Sequence, residues 1–180
     1  MEMPDKIYTA FLERQYQEGM ALARASDLLD LSPLDGQPPQ HYVAQYYCKG
    51  LVRPARGEVV EADYFEVGVW FPSDYLRRAE PFQVLRWFGP PYVFHPNISD
   101  KAPFICVGRL APGTPLVDIL YQCFEIITFN KVTMREDDAL NKDPCAWARR
   151  NQYRFPVDRR PLKRRALDVQ VEPLLKMAQP

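Results

Sequence analysis

Apolar positions recur along this chain in two periods, and the places where the period changes mark out its elements. From Asp5 to about Leu31, the residues Ile7, Phe11, Leu22 and Leu29 fall near one face of a helical repeat, with Asp5 placed to cap the helix and Ser32-Pro33 to stop it. The stripe is interrupted between Gln15 and Gly19, which predicts a helix lying on the rest of the domain rather than within it. Lys6, Arg14 and Arg24, set among acids, read as its solvated face.

Leu34 to Pro39 is loop, and from His41 the period drops to two. His41–Leu51 is expected as one strand, Gly57 marks a turn, Tyr64–Phe71 is a second strand and Phe82–Phe88 a third. In the second, Phe65, Val67, Val69 and Phe71 share a face. Connections this short join antiparallel neighbours, because a parallel crossover needs a dozen or more residues, so the sheet is expected as a meander. No period persists from Gly89 to Gly113, where Pro90, Pro91, Pro96, Pro103 and Pro112 forbid a long ladder or helix. Long irregular loops in compact domains are functional or disordered, and Tyr92, Phe94 and Phe104 argue for order, with a short extended piece at Phe104–Val107. Thr114 and Pro115 then read as N-cap and first helical residue, and Leu116, Leu120, Cys123 and Ile127 form a stripe to about Asn130 that should pack across the sheet. Asp143 and Pro144 open a second helix on the same local grounds. Beyond Pro156 a further helix and a tail are expected, with basic residues concentrated from Arg159 to Arg165.

Composition narrows the function more than the fold. With 180 residues, 47% of them apolar, the chain can bury a core as one domain, or as one domain and a tail. Basic and acidic residues balance at 23 each, so neither nucleic acid nor an anionic membrane is indicated by overall charge, and the basic C-terminal run reads by default as solvated surface. No leader-like or membrane-spanning run is visible, which suggests a soluble compartment. Cys48, Cys106, Cys123 and Cys145 lie far apart, and the two histidines do not complete a zinc spacing, so reduced thiols in a cytoplasmic protein without a metal are expected. Cys123 sits on the apolar stripe and reads as a small core residue.

The candidate chemistry gathers between Tyr92 and Leu110. Cys106 follows His95-Pro96-Asn97, and the nine positions from Asn97 to Cys106 are few enough for a folded loop to bring carboxamide and thiol together, while Pro96 fixes φ just before the asparagine. A thiol beside an amide donor suits acyl transfer, since a donor aimed at the forming oxyanion stabilises the tetrahedral intermediate. An ordinary buried thiol is the plain alternative for Cys106. For Asn97 the alternative is a loop-ordering amide, and a histidine such as His95 can also serve a cysteine hydrolase as general base.

His95-Pro96-Asn97-Ile98 followed by a polar turn and Ile105-Cys106 resembles the active-site signature of ubiquitin-conjugating enzymes. Phe71-Pro72-Ser73-Asp74-Tyr75 is similar to the family's strand-closing Phe-Pro-x-x-Tyr, and Pro81-Phe82-Gln83-Val84 to the lead into its third strand. Asp137-Asp138-Ala139-Leu140-Asn141, with the helix after it, resembles the Asp-Pro-Leu-Asn turn. The resemblance spans residues 5–151 and is most specific over Phe71–Asn151. It implies an α+β ubiquitin-conjugating-enzyme-like fold: N-terminal helix, a meander of about four antiparallel strands, active-site loop, long crossing helix and C-terminal helices. The catalytic domain would be residues 1–155, with 156–180 as a basic C-terminal extension.

The resemblance also implies a function. Cys106 would take the C-terminal carboxyl of a ubiquitin-like modifier from an activating enzyme as a thioester and pass it to a target amine, alone or with a ligase and without a cofactor of its own. Asn97 would support the oxyanion or order the loop, His95 and Pro96 would brace it, and Asp138, with Asp137 as alternative, would orient the amine; a plain solvated turn is the other reading of that pair. The chain departs from the pattern at Leu76–Glu80, where residues intervene before Pro81, at Ala139 in place of a proline, and at Val107-Gly108-Arg109-Leu110, where no tryptophan follows. With these departures the resemblance implies a divergent member, of the kind found in prokaryotic ubiquitin-like conjugation systems as well as in eukaryotes, and leaves the modifier open. Two other classes stay open on sequence: a non-catalytic scaffold of the same fold that binds ubiquitin-like proteins, and a cysteine hydrolase.

Overall fold

The Asp5 carboxylate accepts the backbone N–H of Ile7 at 2.9 Å and of Tyr8 at 3.4 Å, satisfying two of the amides that a helix start leaves unpaired, and α1 runs from Lys6 to Arg24. The computed structural model describes residues 5–164. The buried face of α1 is Tyr8, Leu12, Gln15, Gly19 and Leu22, whereas Ile7, expected inside, is 74% exposed. This explains the interrupted stripe. Gly19 belongs to the contact face, because a Cβ there would stand 2.8 Å from Leu116 and 2.9 Å from Leu31. Gln15 belongs to it as well, since its side-chain oxygen accepts the N–H of Leu116, 2.7 Å away, at the start of another helix. Two positions that look like breaks are therefore contacts of α1 with its neighbours.

The helix stops short of Leu31. Leu29–Pro33 is strand β1, with Leu29 and Leu31 buried and Asp30 and Ser32 exposed, the alternation of a half-buried strand. It pairs antiparallel with β2 (His41–Tyr46), followed in the same sheet by β5 (Phe65–Trp70) and β6 (Leu85–Gly89), in the order β1-β2-β5-β6. Pro33 is tolerated because β1 is an edge strand, where a missing N–H need not break a ladder. The meander and the apolar face of β5 are as the alternation indicates, with Phe65, Val67, Val69 and Phe71 all buried.

Two expected strands are divided. His41–Leu51 is cut after Tyr46, where the Tyr47 amide turns to the Leu28 carbonyl and the Lys49 amide to Asp158; Gly50–Val52 (β3) then pairs with Val60–Ala62 (β4) as a separate two-stranded sheet. The strand expected from Phe82 begins instead as one helical turn, α2 (Pro81–Val84), with Pro81 supplying helical φ and Phe82 turned out to stack on Phe104 at 3.9 Å.

Helix α3 (Leu116–Ile127) lies over the sheet. The Tyr46 hydroxyl donates to the Leu120 carbonyl at 2.9 Å, and Leu116, Leu120, Cys123 and Ile127 are buried as one stripe. Thr114 is not its cap: Pro115 holds that position, and the first helical amide is satisfied across the fold by Gln15. Phe129, at φ 61°, ends the helix before Asn130. Helix α4 (Lys142–Arg150) starts at Lys142, ahead of Pro144.

The further helix expected beyond Pro156 is not present through Arg164, and residues 165–180 lie outside the described ones. The boundary expected at 155/156 is crossed by core packing. Leu162 is in the core, the Ser26 hydroxyl donates to its carbonyl, and Asp158 is buried; burial alone would raise its carboxyl, but the Arg160 guanidinium and then the Lys49 amide on its carboxylate hold it well below the usual range, at about 2. Of the basic run, Arg160 and Arg164 are tied into ion pairs with Asp158 and Asp27.

Candidate active site

The nine-position interval folds as a small hairpin. Ile98 and Ile105, both fully buried, form an antiparallel bridge, the Cys106 amide donates to the Asn97 carbonyl at 2.8 Å, and the Ser99 amide to the Phe104 carbonyl at 3.0 Å. The Ser99 hydroxyl closes the turn by accepting the amides of Lys101 and Ala102, each at 3.1 Å. The two isoleucines anchor this hairpin to the core, so Asn97 and Cys106 face each other across it. Cys106 is a free thiol, partly exposed, whereas Cys48, Cys123 and Cys145 are buried. Burial pushes the thiols of Cys48 and Cys123 up to about 12.

Asn97 is 6% exposed and its carboxamide is engaged at both ends. Its oxygen accepts the Thr133 amide at 2.9 Å and its nitrogen donates to the Cys106 carbonyl at 3.3 Å. Such a nitrogen carries two protons, so a second N–H is still to be offered. The side chain thus orders the loop and stands beside the thiol-bearing residue.

His95 is fully buried, its ring 4.2 Å from that of Phe129. Nδ1 accepts the Asn97 amide at 3.0 Å, and Nε2 has no partner among the described residues. With the lone pair of Nδ1 engaged, Nε2 carries the ring proton, and burial drives the imidazole down to about 3. A general base needs a free basic nitrogen near the thiol, and this ring offers none. Pro96 joins the neighbouring turn: its carbonyl accepts the amides of Leu140 at 2.9 Å and Asn141 at 3.2 Å, which ties residues 137–141 to the tripeptide.

Asp138 is exposed and its carboxylate lies 3.4 Å from the Arg135 guanidinium. Asp137 shares that guanidinium at 2.5 Å, which holds its carboxyl below the usual range. The fold therefore brings the acidic turn to Pro96 but pairs both carboxylates with Arg135 rather than with the Cys106–Asn97 pair.

Three residues at this site are not marked in the sequence. Phe129 floors His95, Thr133 holds Asn97, and Lys131 donates from Nζ to the Val107 carbonyl at 2.5 Å. All follow the end of α3, where no period or motif singles them out. Gly108, beside Lys131, has φ 91°, which a side chain would strain. Among the described residues, no group of three or more His, Cys, Asp or Glu is placed to hold a metal ion, and no helix is long and apolar enough to cross a membrane.

The neutral His95 carries a pH signature. The folded-state value is depressed below the ordinary 6.5, so its contribution is complete above that value and is lost as pH falls toward about 3, because the unfolded chain takes up a proton that the folded one refuses. In a His41→Gln background, where His95 is the other histidine of two, the unfolding free energy is expected to drop by about 2 to 3 kcal/mol between pH 6.5 and about pH 4.5, as read by urea titration. A flat profile over that interval would contradict a buried neutral ring.

No protein-family model matches the sequence, and no curated protein sequence matches it. Among solved structures the chain is similar to the E2 domain of a Toxoplasma gondii ubiquitin conjugating enzyme, with 14% identity and a TM-score of 0.52, over 82% of this chain and 90% of that one. The likeness is one of fold: the N-terminal helix and four-stranded antiparallel sheet of this chain are consistent with a ubiquitin-conjugating-enzyme-like fold.

Proposed function

We propose that this protein is a conjugating transferase that carries a ubiquitin-like modifier as a thioester on Cys106. The observation that carries this reading is the placement of a partly exposed thiol across a two-rung hairpin from a carboxamide that already donates to its carbonyl, in a fold shared with an E2 domain. The Cys106 thiolate attacks the carbonyl of a modifier thioester held by an activating enzyme, and the activating enzyme's thiol leaves. A target amine then attacks the Cys106 thioester, forming an amide bond and releasing the thiol. In both steps negative charge builds on the carbonyl oxygen, and the second N–H of Asn97 is the donor this reading assigns to it. His95 and Pro96 hold the loop. Asp138, or Asp137, orients the incoming amine once it exchanges Arg135 for that partner. The partners are an activating enzyme, a ubiquitin-like modifier, and a target with or without a ligase; ATP is used by the activating enzyme.

The test is incubation with activating enzyme, ATP and candidate modifiers. The expected product is an adduct cleaved by reductant, which in Cys106→Ser becomes an oxyester resistant to reductant and cleaved by hydroxide. No adduct with any modifier would leave the fold as a docking surface without chemistry, and cleavage of a thioester or amide substrate would assign a hydrolase instead.

A further inference from the structure

The end of α3 is built against both sides of the cysteine hairpin. Phe129 takes φ 61°, a conformation that strains a non-glycine residue and that persists only where surroundings impose it. The reversal that follows is closed by the Phe129 amide on the Ile126 carbonyl at 3.0 Å and the Lys131 amide on the Glu125 carbonyl at 2.9 Å. Its two products diverge. The Phe129 ring goes under His95, on the asparagine side, and the Lys131 ammonium goes to the Val107 carbonyl, on the cysteine side. Two successive carbonyls are thus each held by a side-chain donor, Cys106 by Asn97 at 3.3 Å and Val107 by Lys131 at 2.5 Å. A long flexible amine that could extend into water is instead fixed on the residue after the thiol, a placement that costs side-chain entropy.

We propose that Lys131 is a positioning residue for transfer through Cys106: its charged donor on the Val107 carbonyl sets the course of residues 106–108 against Asn97. This rests on the transferase reading. Gly108, at φ 91°, turns the chain directly after the held carbonyl, so release of that carbonyl would let the thiol-bearing backbone shift relative to the carboxamide.

The experiment compares wild type, Lys131→Met and Lys131→Arg in single-turnover discharge of the Cys106 thioester to free lysine, and in hydrogen exchange of the peptide spanning residues 105–110. Loss of a charged hydrogen bond should slow discharge by about 10- to 100-fold in Lys131→Met, at unchanged half-saturating amine concentration, and speed exchange of that peptide about tenfold; Lys131→Arg should return both to within about threefold of wild type. Lys131→Met discharging at the wild-type rate overturns the proposal, as does Lys131→Arg as slow as Lys131→Met. Where Lys131→Met does not fold, Lys131→Gln takes its place. Exchange is read without modifier. Faster exchange in a protein that no modifier charges would therefore show the loop restraint while removing the transferase reading, and the catalytic part of the proposal with it.

Discussion

Asn97→Ala is expected to lower transfer from Cys106 by about 100- to 1,000-fold, the range for loss of one oxyanion donor, and to cost about 1 to 3 kcal/mol of stability. The second effect arises because the Thr133 amide loses its acceptor and the Cys106 carbonyl its donor. Two roles are mixed in that variant, and Asn97→Asp separates them. A carboxylate keeps an acceptor for Thr133 but has no N–H for the Cys106 carbonyl or an oxyanion, and places negative charge where more will form. The Thr133 contact should be retained, stability should fall because a buried carboxylate oxygen then faces the Cys106 carbonyl, and transfer should fall at least as far as in the alanine variant. Single-turnover discharge and urea unfolding measure the two quantities. An aspartate variant that transfers at the wild-type rate would reduce Asn97 to a loop brace.

Phe129→Ala is expected to destabilise the fold by about 3 to 5 kcal/mol, the range for truncating a buried aromatic. The ring is 2% exposed and packs against His95 at 4.2 Å and Phe155 at 4.6 Å, so its loss leaves a cavity under the tripeptide that carries Asn97. Backbone strain is the opposing term. Glycine at φ 61° recovers about 1 to 2 kcal/mol of it, less than the ring supplies. The expected order of urea midpoints is therefore wild type, then Phe129→Gly, then Phe129→Ala. A glycine variant as stable as wild type would mean that backbone geometry, and not the ring, decides this position.

Elements buried on one face by their own period were readable in one dimension. The alternation of Phe65, Val67, Val69 and Phe71 and the stripe Leu116–Leu120–Cys123–Ile127 lie in the core as their spacing indicates. That a folded loop brings Asn97 toward Cys106 was also legible, because proline on one side and a short interval on the other leave few ways to close, but its form as an antiparallel hairpin was not. Asp138 was not: its partner Arg135 lies three residues away on the same turn, but where that turn sits is decided by its hydrogen bonds to Pro96, in a distant segment that no spacing describes. The stripe of α1 misled for a related reason. Gln15 and Gly19 look like gaps in a hydrophobic face until Leu116 approaches: Gln15 accepts its amide, and Gly19 leaves the space that a Cβ would take from its side chain.

Local sequence therefore determined which faces are apolar, where the chain turns and which thiol stands in a proline-bound loop, since these follow from side-chain period and restricted φ over a few residues. Tertiary structure alone decided that Leu29 belongs to a strand, that His41–Leu51 divides between two sheets, and that Phe129, Lys131 and Thr133 serve the cysteine hairpin. Each of those outcomes is a hydrogen bond or a contact between residues far apart in the chain. Its free energy exists only when both partners have been brought together, so neither segment carries a record of it by itself.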